Sequence, residues 1–302
     1  MVNLRPAILI CGLGFIGSNL SKFLNEKKHR LVIITRKKIK NTSNTTYINV
    51  NPQNKNQLFN KIIKFNIKYI INTFGKIDHS NFNSSNEKNI MNEHFIVTKN
   101  LIELGIQKKI FKFIQIGSAD EYGNLKKLNE NSKERPNTPY GLYKSLSTSL
   151  LQSLKNENIL NSIVLRLFTT YGPNQSQERF IPFIINQSKL NKKYDLTDCK
   201  QHRDFIHIDD LIKIIYLVTF NKKNLDNIIL NVGTSKKIKL KKIVEFITKF
   251  TGGGDPQFGK LKYNSKNYNM VLIANNRKLL RYIGKFQFKD IFKELPKLID
   301  KY

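Results

Sequence analysis

The feature that most constrains this chain is the stretch "AILICGLGFIGSNL" at residues 7–20, where a short apolar run breaks at Gly12, Gly14 and Gly17 and apolar residues then resume at helical spacing. A five-residue apolar run ending in glycines reads as a buried strand. A G-x-G-x-x-G string that follows a strand and opens a helix is a cradle for a dinucleotide pyrophosphate. Gly12 permits the tight turn, Gly14 lets the backbone approach the phosphates, and Gly17 lets the helix pack on the sheet. The backbone N–H groups at the helix start, around Phe15 and Ile16, then face the anion. The alternative is a tight strand–helix turn that holds no ligand.

The same rhythm continues downstream. Strands are predicted at 30–35, 45–50, 68–74, 110–116 and 162–168, and helices at 15–28, 57–65, 87–107 and from Tyr140 to 156. Strands alternating with helices imply parallel βαβ units and an α/β, doubly wound sheet. After about residue 168 the pattern changes to helices at 178–190, 209–220, 241–250 and 290–299, with strand-like runs at 204–208 and 228–233 and a loop at 251–259. The 302 residues suffice for two lobes. Residues 1–167 read as a dinucleotide domain to which 204–233 return, and 168–302 as a smaller domain that mainly holds substrate. No internal repeat is visible.

Composition narrows the partners. The formal charge is +30, from 52 Lys+Arg against 22 Asp+Glu. The basic residues are nearly all Lys, spread along the chain among abundant Asn, Ile and Phe, which reads as compositional drift. No nucleic-acid partner is expected, although the field would draw small anions toward a cleft. Cys11 and Cys199 have neither disulfide-framework nor metal-ligand spacing, so no metal is expected and a reducing cytoplasm is. The start carries Arg5 before an apolar run, but glycines interrupt that run and no convincing cleavage site follows. No apolar stretch approaches the ~18 residues of a membrane span.

Cofactor type is read at the end of the second strand, "IITRKK". A carboxylate there would bind the ribose hydroxyl of NAD. The chain has Arg36, Lys37 and Lys38 instead, which suit a 2′-phosphate, so NADP is expected and NAD is the alternative.

Chemistry is read from "NTPYGLYKSL" and "IQIGSADEYG". Thr138 is a predicted N-cap and Pro139 a first helical residue. Tyr140 and Lys144 then lie one turn apart on one face. A cation and a helix dipole both lower a phenol pKa. Ser118 ends a strand, where doubly wound sheets bind ligands. Ser118 would bond the reacting oxygen, Tyr140 would move its proton, and Lys144 would acidify the phenol and hold the nicotinamide ribose. The alternative for Tyr140 and Lys144 is a helix start with a chance spacing.

With "GFIGSNL", "IGSADEYG", "PYGLYKS", "VLRLFTTYGP", "RFIPFI", "RDFIHIDDL", "LNVGT" and "NNRKLLRYIG" in order, the chain resembles the extended short-chain dehydrogenase/reductases, the NAD(P)-dependent nucleotide-sugar epimerases, dehydratases and 4-ketoreductases. The resemblance runs almost end to end. It implies a Rossmann fold, a nucleotide-sugar substrate and a homodimer through the 87–107 and Tyr140 helices. It makes Ser118, Tyr140 and Lys144 the catalytic set and puts Asp120 where some dehydratases keep a carboxylate. Arg203 matches a diphosphate-gripping arginine, a local salt bridge with Asp204 or Asp209 being the alternative, and Arg179 is a second candidate. The chain departs from the family pattern at several positions. Cys11 fills a first glycine slot, Asn51 an adenine-contacting Asp, His94 a common Asn, and Thr169 a common Asn. Asp78 and His79 stand in a segment that usually reads Ala-Ala, where His79 is a substrate contact, an added acid/base or an ordinary loop residue. A reductase or epimerase at sugar C4 is expected. A 4,6-dehydratase and a non-catalytic dinucleotide-binding module are the alternatives.

Overall fold

The computed structural model describes residues 6–82, 84–125, 128–223, 225, 228–263 and 269–302. Arg5, considered above with the apolar start, lies outside them, and the run after it is a sheet strand.

The first half is regular. In chain order it comprises β1 (Ala7–Cys11), α1 (Phe15–Glu26), β2 (Leu31–Thr35), β3 (Thr45–Asn49), α2 (Lys55–Ile62), β4 (Ile67–Asn72), α3 (Glu87–Met91), a π-helical turn (Asn92–Ile96), α4 (Val97–Gln107), β5 (Lys112–Ser118), a 3-10 turn (Ala119–Tyr122), α5 (Pro139–Asn156) and β6 (Ser162–Leu167). The second half contains β7 (Thr169–Tyr171), α6 (Phe180–Lys189), β8 (Lys193–Asp195), β9 (His202–Arg203), β10 (Phe205–His207), α7 (Ile208–Phe220), β11 (Ile229–Val232), β12 (Ile238–Lys239), α8 (Leu240–Thr251), β13 (Asp255–Gln257), β14 (Val271–Leu272), α9 (Arg277–Ile283) and α10 (Ile291–Lys301).

Seven strands form one sheet in the order β3-β2-β1-β4-β5-β6-β11, and every pairing is parallel. Both faces are covered, so the central strands β1 and β2 are buried along their whole length rather than on alternate residues. Side-chain alternation splits β1 between two cores. Ile8 and Ile10 join Leu20 and Leu24 of α1 and Leu211 and Ile215 of α7. Leu9 and Cys11 join Leu101 of α4 and Leu151 of α5 on the other face. The order reverses direction between β1 and β4, which opens a crevice at their carboxyl ends. A third core, with Ile184, Ile243 and Leu295, holds α6, α8 and α10 together.

The helical stretch expected over 87–107 is present from end to end, with a π-helical turn around His94, whose carbonyl accepts from the Thr98 and Ser147 hydroxyls (2.7 and 2.8 Å). One expectation requires correction. The expected loop 251–259 contains β13, paired with β8. Gly252 (φ +69°) ends α8, and Gly254 (φ +91°) turns the chain so closely against Ser188 that an added Cβ would lie 2.7 Å from its Cα. That reversal lays residues 255–257 along β8.

Candidate active site

The glycine turn crosses the carboxyl end of β1. Gly12 adopts φ +100° and packs on Phe74, leaving 2.9 Å between an added Cβ and the Phe74 Cα. Cys11 therefore does not make the turn. Its side chain lies in the core, and burial pushes its thiol pKa up, away from reactivity. At Gly17 an added Cβ would stand 2.0 Å from the Gly12 carbonyl, so only glycine lets α1 pack here. Gly14 differs, because no atom lies within 4 Å of where its Cβ would be. It caps α1 with no side-chain hydrogen bond to the helix start. The first N–H groups of a helix lack intrahelical partners, so those around Phe15 and Ile16 are available to an anion. The Thr73 hydroxyl, donating toward the Cys11 and Gly12 carbonyls (3.0 Å each), holds the end of β4 against the turn.

Arg36 follows β2 and is largely exposed. Its guanidinium lies 5.3 Å from the Phe74 ring centroid and pairs with Glu93 at 3.3 Å. Lys37 and Lys38 are exposed beside it. Asn51 is exposed, and its side-chain oxygen accepts from the Gln53 N–H (3.2 Å).

At the end of β5, Ser118 caps the 3-10 turn. Its hydroxyl donates to Asp120 Oδ2 (2.6 Å) and accepts from the Asp120 N–H (3.1 Å), while Glu121 Oε1 accepts from the Ser118 N–H (2.8 Å). Thr138 caps α5 by accepting from the Gly141 N–H (3.1 Å), with Pro139 in the first turn, as the sequence led one to expect. Tyr140 is buried, and the helix start that carries it packs on the Ser118 turn, where an added Cβ at Gly141 would lie 2.6 Å from the Asp120 carbonyl oxygen. His94 packs edge-on to the Tyr140 ring at 4.8 Å and His79 at 6.0 Å. His79 Nδ1 lies 3.9 Å from Asp120 Oδ1.

The electrostatics differ from the expected acidified phenol. Burial raises the Tyr140 pKa, the Asp120 and Glu121 carboxylates raise it further, and the Ser118 bond and Arg179 only partly offset this. Lys144 lies on the same helical face, but its Nζ donates to the Ile116 carbonyl (2.7 Å) and is 5.9 Å from the Tyr140 ring centroid. Burial lowers the Lys144 pKa to about 8, against the charge of Glu121. In this state the phenol stays protonated.

The substrate candidates divide. Arg179 is the N-cap residue of α6, and its charge works slightly to lower the Tyr140 pKa. Arg203 lies on a small sheet of β12, β9 and β14, and its Nη1 donates to the His202 carbonyl (2.9 Å). Neighbouring Asp204 accepts from the Thr234 N–H and hydroxyl (both 2.7 Å), the Ser235 N–H (2.8 Å) and the Ala274 N–H (3.1 Å), tying this sheet to the loop after β11. Thr169 begins β7, its N–H donating to the Asp204 carbonyl (3.0 Å). Asp78 accepts from Ser80 and Asn86, which hold its pKa below the usual carboxylate range and shape the loop that carries His79.

Comparison with known proteins establishes the family. The model of the NAD dependent epimerase/dehydratase family matches residues 8–233. The chain belongs to the NAD-dependent epimerase/dehydratase family. This family member is 26% identical to the CDP-abequose synthase of Salmonella typhimurium, over 98% of this chain and 99% of that one. It is 27% identical to the dTDP-D-glucose 4,6-dehydratase of Dictyostelium discoideum, over 78% of this chain and 59% of that protein's length. Its fold matches that of a Bacillus cereus UDP-glucuronic acid 4-epimerase, solved in complex with UDP-glucuronic acid and NAD, with a TM-score of 0.84 at 23% identity, covering 98% of each chain. Among the described residues no helix is long and apolar enough to cross a membrane, and no group of three or more His, Cys, Asp or Glu is arranged to hold a metal ion.

Two supporting residues of this epimerase/dehydratase-family site escaped the sequence reading. Glu121 is fully buried, bonded to the Ser118 N–H, to Thr148 (2.8 Å) and to Arg166 Nε (2.9 Å). Arg166 also contacts Glu134 and lies 4.4 Å over the Tyr122 ring. The string Ser118-x-x-Glu121 has capping-box spacing, and an arginine inside the apolar run "VLRLF" needs a buried partner. Both signals were readable, although nothing in the sequence joined them.

Proposed function

We propose that this protein is an NAD(P)-dependent oxidoreductase or epimerase acting at C4 of a nucleotide-linked hexose or deoxyhexose, with Tyr140 as acid/base. The observation that carries the reading is the packing of the Tyr140 helix start on the turn that Ser118 caps at the carboxyl end of β5, so close that an added Cβ at Gly141 would lie 2.6 Å from the Asp120 carbonyl oxygen. Lys144 is one turn further along α5, and the glycine cradle lies at the neighbouring switch point of the sheet. Ser118 orients the sugar oxygen and Tyr140 passes the proton to or from it. A bound nicotinamide dinucleotide supplies the hydride donor or acceptor. The open space at Gly14 and the α1 N-terminus fit its pyrophosphate. Arg36 supports NADP. NAD, present in the Bacillus cereus structure, is the alternative. Residues 168–302 supply most of the substrate side, with 204–233 returning to the dinucleotide half, a division that β11 in the main sheet supports. Arg179 and Arg203 are assigned to the nucleotide diphosphate, with Thr169 and His79 at the sugar side and Asn51 toward adenine. The names of the relatives support a nucleotide sugar as substrate.

A phenol held protonated suits delivery of a proton to a C4 carbonyl, and so favours the reductive direction. A 4,6-dehydratase is the second reading, favoured by Asp120, a carboxylate beside Ser118 that is able to take a C5 proton. The exposed Ile106 of α4 and Leu146 of α5 support a homodimer through those helices.

The test is Tyr140→Phe assayed with a panel of UDP-, dTDP-, GDP- and CDP-sugars. Turnover should fall at least about a hundredfold while dinucleotide affinity survives. Equal turnover by both proteins would end this reading, and a wild-type enzyme inert on the whole panel would favour a dinucleotide-binding module. A product that has lost water would select the dehydratase.

A further inference from the structure

We propose that Glu93 tunes the choice between NADP and NAD by competing with the ribose 2′-phosphate for the Arg36 guanidinium. The proposal deepens the cofactor reading above and rests on it. Arg36 directly follows β2, at the strand end where a doubly wound sheet meets the adenosine ribose. Its guanidinium already has an anion: Nη1 stands 3.3 Å from Glu93 Oε1, and the group lies 5.3 Å from the Phe74 ring centroid. The two partners differ in freedom. The Arg36 side chain is 65% exposed and that of Glu93 only 18%, so the cation can swing away while the carboxylate stays.

Glu93 is fixed from behind. The π-helical turn Asn92–Ile96 sets Glu93 and His94 next to each other against the loop after β4. Glu93 Oε2 accepts from the Lys76 N–H (3.0 Å), and His94 Nε2 donates to the Lys76 carbonyl (2.9 Å). The backbone at Arg36 is fixed as well. Asn49 Nδ2 donates to the Arg36 carbonyl (3.0 Å), and the Lys37 N–H donates to Thr35 Oγ1 (3.1 Å). Moving the guanidinium from Glu93 to a phosphate therefore takes side-chain rotation alone.

Charge decides what each dinucleotide meets at this point. A 2′-phosphate must draw Arg36 off Glu93 or share it with a second anion. The 2′-hydroxyl of NAD makes no such demand. Breaking an exposed ion pair of this kind shifts an equilibrium by up to about fivefold. Glu93 thus removes part of the NADP preference that Arg36 confers, and it does so without altering the glycine turn that both dinucleotides need.

The experiment is a fluorescence titration of NADPH and NADH against wild type, Glu93→Gln, Arg36→Met and the double variant. Gln keeps an oxygen for the Lys76 N–H, so Glu93→Gln should hold the fold, and an unchanged melting temperature verifies that. Glu93→Gln should tighten NADPH about fivefold and leave NADH within about twofold. In the Arg36→Met background the same change should leave the ratio of the two affinities where it was. An unchanged ratio in Glu93→Gln overturns the competition. So does a gain that persists without Arg36, since that would make Glu93 a general repelling charge. A ratio that Arg36→Met leaves untouched removes Arg36 as the phosphate partner and the competition with it. A ratio that Arg36→Met lowers and Glu93→Gln does not change sinks the competition alone. A second measurement uses only the wild-type fold. The 15N signal of Arg36 Nε, assigned with Arg36→Met, should move on adding adenosine 2′,5′-bisphosphate and hold still with adenosine 5′-phosphate, and a signal blind to the 2′-phosphate also overturns the competition.

Discussion

Gly75 and His94 fit as socket and ring. A Cβ at Gly75, where φ is +107°, would stand 2.3 Å from His94 Cε1 and 2.6 Å from Nδ1. The ring thus fills space that only glycine leaves, wedged between the loop after β4 and the Tyr140 ring.

That burial has a pH signature. Desolvation, reinforced by the Lys144 charge, pushes the His94 pKa down from 6.5 to about 3. Between those values the unfolded chain binds a proton at this position and the folded one does not, so folding stability falls as pH drops from 6.5 toward 3. The loss attributable to His94 is on the order of 4 kcal/mol at the acid end of that window. Urea denaturation of wild type and His94→Asn at several pH values should show a slope in this window that the variant lacks. Equal slopes would mean that the ring is not held neutral.

The buried pair Arg166–Glu121 orders the Ser118 turn from below. Arg166→Met should cost about 3–5 kcal/mol, because it strands a buried carboxylate, and replacing both partners by apolar residues should recover much of it. Chemical denaturation measures the cycle. A single-variant loss below 1 kcal/mol would show that Glu121 finds another partner.

Gly14 and Gly17 should separate binding from folding. Gly14→Ala adds a methyl to open space, so its melting temperature should stay close to wild type while dinucleotide affinity drops about tenfold or more, roughly 1.4 kcal/mol, by fluorescence titration. Gly17→Ala meets the Gly12 carbonyl and should lose both. A Gly14→Ala protein with native affinity would place the pyrophosphate elsewhere.

Arg36→Asp should weaken NADP by at least about tenfold more than NAD, since it swaps a phosphate partner for a repelling carboxylate. Comparable losses for the two dinucleotides would remove Arg36 as the discriminating residue.

Arg203→Ala and Arg179→Ala should raise KM for the nucleotide sugar by about tenfold or more with a smaller change in kcat, as lost phosphate bonds would. An arginine whose removal leaves KM untouched lies outside the nucleotide site.

The local sequence determined the scaffold. Apolar five-residue runs such as those at 7–11 and 31–35 become buried parallel strands because a sheet covered on both faces needs no polar side. The Gly12–Gly17 turn and the Thr138–Pro139 helix start follow from backbone sterics and capping, which act over a few residues. Tertiary structure alone decided the electrostatics. Sequence spacing placed Lys144 one turn from Tyr140, but its Nζ sits on the Ile116 carbonyl, and the phenol pKa rises because burial outweighs any neighbouring cation. The π-helical turn at His94, the buried Arg166–Glu121 pair and the His79–Asp120 approach were likewise settled by packing between segments far apart in the chain. Short-range rules describe backbone geometry, whereas charge and proton position depend on solvent exclusion, which exists only once the distant segments have met.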